Sequence, residues 1–209
     1  MIKNIKKIIQ ILDEIFQNPK TELYYKNEFQ LLVAIIMSAQ TTDKQVNKIN
    51  KNFFEKFSTP KELFELGEEE IKNNIKTIGL YNSKAKNIFL TAKMLLENYN
   101  SQIPENLQEL QKLPGVGVKT AKVWLSIIKN SSYLAVDTHV HRVLNRLGVV
   151  STKTPIETDK VASKKLNGED LARLHHTLIL FGRYYCLAKN PKCNGCKLFE
   201  FCSYKEKNI

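Results

Sequence analysis

Leu113-Pro114-Gly115-Val116-Gly117-Val118-Lys119-Thr120-Ala121 joins two helical stretches of this 209-residue chain, and its reading decides the fold. Pro114 ends the first helix, because proline lacks an N–H and its ring clashes with the preceding turn. Gly115 and Gly117 permit a tight turn and let the backbone come close to a partner. The second helix starts near Val116–Val118, so its first N–H groups have no intrahelical acceptor and can hold a phosphate. The pattern is not a P-loop, because the lysine does not close a GxxxxGK[ST] run after a strand. Alone, such a turn is most often an ordinary helical connection with an exposed lysine.

On both sides of the hairpin the chain reads as helix. Residues 4–17 put Ile5, Ile8, Ile9, Leu12, Ile15 and Phe16 on one face. Residues 28–38 are apolar nearly all round, which predicts a buried helix. Residues 43–57 carry Val46, Ile49, Phe53 and Phe57 as a stripe. Further helices are expected at 60–66, 68–76, 83–98, 106–112, 117–129, 138–147, 156–165 and 169–184. Glycine and proline total only 14 and lie mostly between these segments. No stretch makes a convincing strand, and Val149-Val150 is too short. The fold class is all-α.

Downstream, Ala135-Val136-Asp137-Thr138-His139-Val140-His141-Arg142 puts Asp137 18 residues after Lys119. Asp137 is placed to cap the helix running to Leu147, a common use of aspartate. A capping carboxylate facing a lysine across a cleft would also make a catalytic pair.

All four cysteines, Cys186, Cys193, Cys196 and Cys202, lie in one C-x6-C-x2-C-x5-C run. Two disulfides would need an oxidising compartment, and the lysine-interrupted N-terminus MIKNIKKIIQILDEIF does not read as a signal peptide. Zinc ribbons usually show two close cysteine pairs, whereas here only Cys193 and Cys196 form a CxxC. The irregular spacing favours four thiolates around a [4Fe–4S] cubane over structural zinc. No apolar run approaches the roughly 20 residues of a membrane-spanning helix; the longest, Leu31 to Met37, has seven. The net charge of +11 suits a polyanionic partner such as nucleic acid. A lysine-rich composition would explain the charge equally well.

Taken together, LPGVGVKTA, VDTHVHR and the cysteine run resemble the endonuclease III family of helix-hairpin-helix DNA-repair enzymes. The resemblance extends over essentially the whole chain, through Met37-Ser38-Ala39-Gln40-Thr41-Thr42-Asp43, Thr77-Ile78-Gly79-Leu80-Tyr81-Asn82-Ser83-Lys84-Ala85 and His175-His176-Thr177-Leu178-Ile179-Leu180-Phe181-Gly182-Arg183. It implies a base-excision-repair N-glycosylase with abasic-site lyase activity, removing oxidised pyrimidines from duplex DNA. Lys119 would be the nucleophile, since only an amine can form an imine with the sugar. Asp137 would stabilise the cationic sugar and shuttle protons. Gly115, Gly117 and Val118 would meet the DNA backbone, and His139 would lie near the sugar-phosphate. A base inside a duplex must be flipped out to be reached. Gln40 would fill the vacated space and Leu80 would wedge into the stack. The four cysteines would hold the [4Fe–4S] cluster, with Lys189, Lys192 and Lys197 facing the DNA. His175 and His176 are expected to pack rather than to ligate.

The implied architecture is a helical domain at 22–131 carrying the hairpin, and a cluster domain made of 1–21 and 132–209. Lys119 and Asp137 would stand on opposite walls of the cleft between them. Many relatives carry an acidic residue where this chain has Gln111. The chain ends soon after Cys202, so the extra C-terminal domain of adenine-mismatch glycosylases is expected to be missing. A monofunctional mismatch glycosylase and a non-catalytic DNA clamp are the rival readings. The protein is expected to be a bacterial, cytoplasmic, nucleoid-associated monomer.

Overall fold

A computed structural model describes residues 2–131 and 133–207. Met1, Ser132, Asn208 and Ile209, which belong to the expected cluster domain, lie outside the described residues. Helices run at α1 (Ile2–Ile15), α2 (Glu28–Ser38), α3 (Asp43–Lys56), α4 (Pro60–Leu66), α5 (Glu68–Ile75), α6 (Tyr81–Tyr99), α7 (Leu107–Leu110), α8 (Val118–Lys129), α9 (Thr138–Arg146), α10 (Pro155–Lys165) and α11 (Leu171–Tyr184). A short 3-10 turn at Phe199–Phe201 follows, and no strand occurs among the described residues. The chain divides into two compact units, Glu22–Lys129 and Met1–Thr21 with Asn130–Ile209.

In the unit Glu22–Lys129, α2 is the centre. Its residues Phe29 to Met37 are all buried, as its apolar circumference requires. Asn27 caps it by accepting the Gln30 N–H at 2.8 Å. The buried Gln30 side chain then donates to the carbonyls of Phe54 and Phe57, at 2.9 and 3.1 Å, which ties α2 to the end of α3. α3, α6 and α8 pack on α2. Fully buried Trp124 in α8 donates its indole N–H to the Glu28 carbonyl at 3.0 Å, locking α8 to the start of α2. α4 and α5 lie against α6. α3 and α4 each open with a capping box, Thr42 with Gln45 and Thr59 with Glu62.

The hairpin between α7 and α8 is pressed onto α6. The hydroxyl of fully buried Thr91 donates to the Pro114 carbonyl at 2.8 Å. Gly115 takes a left-handed φ of +78°, and a Cβ there would lie 2.9 Å from the Asn87 Cβ. Conformation and space therefore both demand glycine at this position.

In the other unit, α9 packs on α10 and α11, and α1 packs on α11. Leu12, Val140, Val143, Leu144, Leu178 and Phe181 form the middle of its core. α9 and α11 approach closely at Gly182, where a Cβ would sit 2.9 Å from the Cβ of His139. Asp13 of α1 accepts from Arg173 Nε of α11 at 2.5 Å.

Most helix ends fall within one or two residues of the sequence expectation, and three differences have a clear physical reason. α6 begins at Tyr81 rather than 83, because Leu80 makes the whole turn by adopting φ 59°. α7 stops at Leu110, where turn geometry takes over before Pro114. The 3-10 turn in the cysteine segment was not expected, since three residues carry no periodic signal.

Gly115→Ala and Thr91→Val test the hairpin anchor. The left-handed backbone alone should cost the alanine variant about 1–2 kcal/mol. Orphaning the Pro114 carbonyl should cost the valine variant about 1–3 kcal/mol. Urea titration should show lower midpoints for both; wild-type midpoints would contradict the anchor.

Candidate active site and nucleic-acid interface

Lys119 is the second residue of α8 and is exposed. The α8 hydrogen-bond ladder begins with Ala121 N–H to the Gly117 carbonyl at 3.0 Å. The N–H groups of Val118, Lys119 and Thr120 precede that ladder and face the positive end of the helix dipole. Gly117 contributes no side chain that could cap them. Its φ is not left-handed, and a Cβ there would meet nothing within 4 Å. Of the two glycines only Gly115 is left-handed, and among the described residues nothing requires a glycine at 117. Val118 is 48% exposed beside them, an apolar side chain left in solvent.

Asp137 caps α9. A single carboxylate oxygen, Oδ1, accepts the N–H groups of His139 and Val140, both at 2.8 Å. Oδ2 makes no hydrogen bond among the described residues, so the cap uses half of the carboxylate. His139 is half-buried, and burial pushes its pKa down. Asp137 opposes that shift, while Arg142 and Arg183 reinforce it. Arg142 Nη2 lies 3.2 Å from His139 Nδ1. A guanidinium can only donate, so in this contact Nδ1 is the acceptor. Arg142 also donates to the carbonyls of Gly182 at 2.9 Å and Cys186 at 3.0 Å, linking α9, α11 and the cysteine segment.

Gln40 and Leu80 share an unusual backbone. Both are exposed, and both hold a left-handed φ, 54° and 59°. Such a conformation is uncommon outside glycine and costs on the order of 1–3 kcal/mol per residue. Leu80 is 57% exposed, so it is not a core leucine at a helix start. Gln111 folds its side-chain amide back onto the Leu107 carbonyl at 2.9 Å.

The four cysteines carry free thiols and line one largely apolar pocket, together with Arg146, Tyr185, Leu198 and Phe199. Among the described residues no three His, Cys, Asp or Glu side chains are gathered as ligands of a metal ion. Burial pushes the Cys196 thiol up, and the three other cysteines push it the same way. The three neighbouring sulfurs thus disfavour ionisation of Cys196. Among the described residues no carboxylate lines the pocket, whereas Arg146, Lys192 and Lys207 do. This soft, anionic donor set in a cationic, apolar surround fits an iron–sulfur cluster.

Sequence reasoning gave no role to Arg146. Its guanidinium donates to the Leu187 and Ala188 carbonyls, at 2.7 and 3.2 Å, and to Cys186 Sγ at 3.4 Å. It also stacks 3.9 Å over the Tyr204 ring, and its backbone carbonyl accepts from Ser203 N–H at 2.7 Å. One arginine therefore fastens both ends of the cysteine segment. The only hint in the sequence is an arginine in the last turn of a helix that precedes the cysteines. His175 is buried within α11, its ring edge-on to His176 at 5.1 Å. Lys189, Lys192 and Lys197 are all exposed.

Residues 33–167 match the family described as HhH-GPD superfamily base excision DNA repair protein. The chain is 47% identical to endonuclease III of Rickettsia conorii over 200 residues, covering 96% of this chain and 95% of the relative. It is 43% identical to endonuclease III of Escherichia coli K12 over 207 residues, 98% of each chain. Its structure superposes on a trapped endonuclease III–DNA covalent intermediate with a TM-score of 0.91. That match has 40% identity and covers 97% of this chain and 96% of the other. A thermostable thymine-DNA glycosylase shares the fold at a TM-score of 0.86, with 24% identity and coverage of 97% and 96%. The architecture, the hairpin and these full-length likenesses agree: the chain belongs to the endonuclease III family of helix-hairpin-helix base excision DNA repair proteins.

Proposed function

We propose that Lys119 is the nucleophile of this enzyme and that it removes oxidised pyrimidines from duplex DNA. As a member of its family the protein is a base excision repair glycosylase and abasic-site lyase. The observation that carries the residue assignment is a solvent-exposed primary amine in the first turn of α8, beside N–H groups that can hold a phosphate.

In this reading the flanking phosphate docks on the N–H groups of Val118 to Thr120. Gly117 lets the strand approach, which accounts for a glycine that no described residue requires. Val118 packs on the sugar. The Lys119 amine attacks C1′, the glycosidic C–N bond breaks, and the base leaves with a proton that the amine gives up. The remaining amine proton passes to O4′ as the C1′–O4′ bond breaks and the ring opens, and an imine, protonated to the iminium, joins Nζ to C1′. Loss of a 2′ proton then drives electrons toward the iminium and breaks the C3′–O bond. This β-elimination releases the 3′ phosphate and nicks the strand. Water finally releases the lysine.

Asp137 stabilises the positive sugar as the base departs and moves protons at the amine. Its Oδ2, which makes no hydrogen bond among the described residues, supports that role, while Oδ1 keeps the carboxylate in place. His139 donates a ring N–H to a phosphate oxygen. Gln40 fills the space left by the flipped nucleotide, and Leu80 enters the stack beside it. Their exposure supports the assignment.

Cys186, Cys193, Cys196 and Cys202 would hold a [4Fe–4S] cluster. Bound there, it would cross-link the C-terminal segment; glycosidic hydrolysis and elimination move no net electrons. Lys189, Lys192 and Lys197 would then meet the DNA backbone. No described helix is long and apolar enough to cross a membrane. A monomer acting on the nucleoid in the cytoplasm is the setting that suits this chemistry.

Lys119→Gln should abolish nicking of a duplex with a preformed abasic site, a loss of roughly 10⁴-fold or more, while binding that duplex within a few-fold of wild type. Retained nicking would remove Lys119 from the reaction. For Asp137→Asn, the uncharged amide keeps the cap acceptor but not the charge. Turnover should fall by about 10²-fold or more with the melting temperature little changed. Equal losses in DNA affinity and melting temperature would make Asp137 a helix cap only. Anaerobically purified protein should contain about four irons per chain and absorb visible light. One zinc per chain in colourless protein would overturn the cluster assignment.

A further inference from the structure

The two exposed residues proposed to enter the duplex stand on two separate turns, and one buried amine joins those turns. Lys84, in the first turn of α6, is 4% exposed. Its Nζ donates to Thr41 Oγ1 at 2.8 Å across 43 residues of sequence. That is its only side-chain hydrogen bond among the described residues. Thr41 directly follows Gln40, and its N–H closes the same turn onto the Ser38 carbonyl at 3.1 Å. At the other end, the Lys84 backbone N–H donates to the Leu80 carbonyl at 3.0 Å. The lysine thus holds the Gln40 turn with its side chain and the Leu80 turn with its main chain.

A buried lysine met by one neutral hydroxyl is a poor choice for stability. An ammonium loses its water there, and burial pushes the pKa of Lys84 down with no carboxylate to offset it. The apolar face of α6 continues below it through Ile88, Thr91 and Leu95, so an apolar side chain would suit the same stripe. The two turns meanwhile hold non-glycine residues in left-handed conformations, which persist only where neighbours over-determine them.

We propose that Lys84 is a positioning residue, which through Thr41 fixes the Gln40 turn to the Leu80 turn so that both side chains enter damaged DNA as one preorganised unit. The inference rests on the roles proposed above for Gln40 and Leu80. Two turns that moved independently would have to be ordered during binding. A fixed pair has met that cost in folding, and its benefit appears only where a nucleotide is displaced. Lys84 does not itself touch the DNA in this account.

The test is a thermodynamic cycle on the full-length holoprotein, with Lys84→Met, Thr41→Val and the double variant. Each is titrated against a duplex holding a tetrahydrofuran abasic-site analogue and against the undamaged duplex. The ratio of the two affinities should fall about tenfold in each single variant, with little further loss in the double variant, the non-additivity of one shared interaction. Melting temperatures are measured in parallel. Ratios that stay at the wild-type value in the folded single variants, whatever their melting temperatures, would overturn the positioning role. Fully additive losses would also overturn it. Should Lys84→Met fail to fold, Thr41→Val alone decides, because it removes the hydroxyl while keeping the volume. Gln40→Ala and Leu80→Ala serve as separate controls. If these leave the ratio unchanged, the reading of the two protruding residues fails. If they lower it and the Lys84 and Thr41 variants do not, only the positioning inference fails.

Discussion

The close approach of the 113–117 backbone to α6 is the constraint on which the catalytic assignment depends. Thr91 holds the Pro114 carbonyl, and Gly115 turns where even a methyl group would strike Asn87. With the turn fixed on one side by α6, and α8 fixed on the other by the Trp124–Glu28 hydrogen bond, the first turn of α8 has little freedom. It presents an amine, three N–H groups outside the helical ladder and an exposed valine to solvent. A nucleophile that must reach one carbon of a displaced sugar needs that rigidity, because a small misplacement sacrifices much of the gain from preorganisation.

The same economy recurs in the other unit. Asp137 is both cap and candidate proton carrier, divided between its two oxygens. Arg142 orients His139 and fastens α11 and the cysteine segment with the same guanidinium. Arg146 gathers both ends of the cysteine segment around four thiols. Charge and geometry are thus built into helix termini, where unsatisfied backbone groups already need partners.

Much of this was legible in the residues. The α2 segment could be read as buried because it is apolar all round, and Gly115 because proline followed by glycine stops one helix before another. The all-α architecture follows from 3.6-residue periodicity in segment after segment. What was not legible depends on contacts distant in sequence. Gly117 looks like Gly115 in the sequence, yet only Gly115 has a left-handed φ and a crowded Cβ position. Leu80 reads as a wedge only through the family resemblance; the left-handed turn that carries it was not visible in the residues. Lys84 carried a signal that periodicity does hold, because positions 84, 88, 91 and 95 share one face and a lysine sits at the top of an otherwise buried stripe. Its partner Thr41 could not be found without coordinates. The 3-10 turn at Phe199–Phe201 is too short for any period.

The central claim is that one amine, at the start of α8, bonds covalently to deoxyribose. Its most direct test is tandem mass spectrometry of the protein after borohydride reduction during turnover on an oxidised-pyrimidine duplex. The account predicts a single sugar remnant on the peptide containing Lys119, located at that lysine. A remnant on another lysine or on the N-terminal amine, or protein that carries none while bases are still being released, would contradict it.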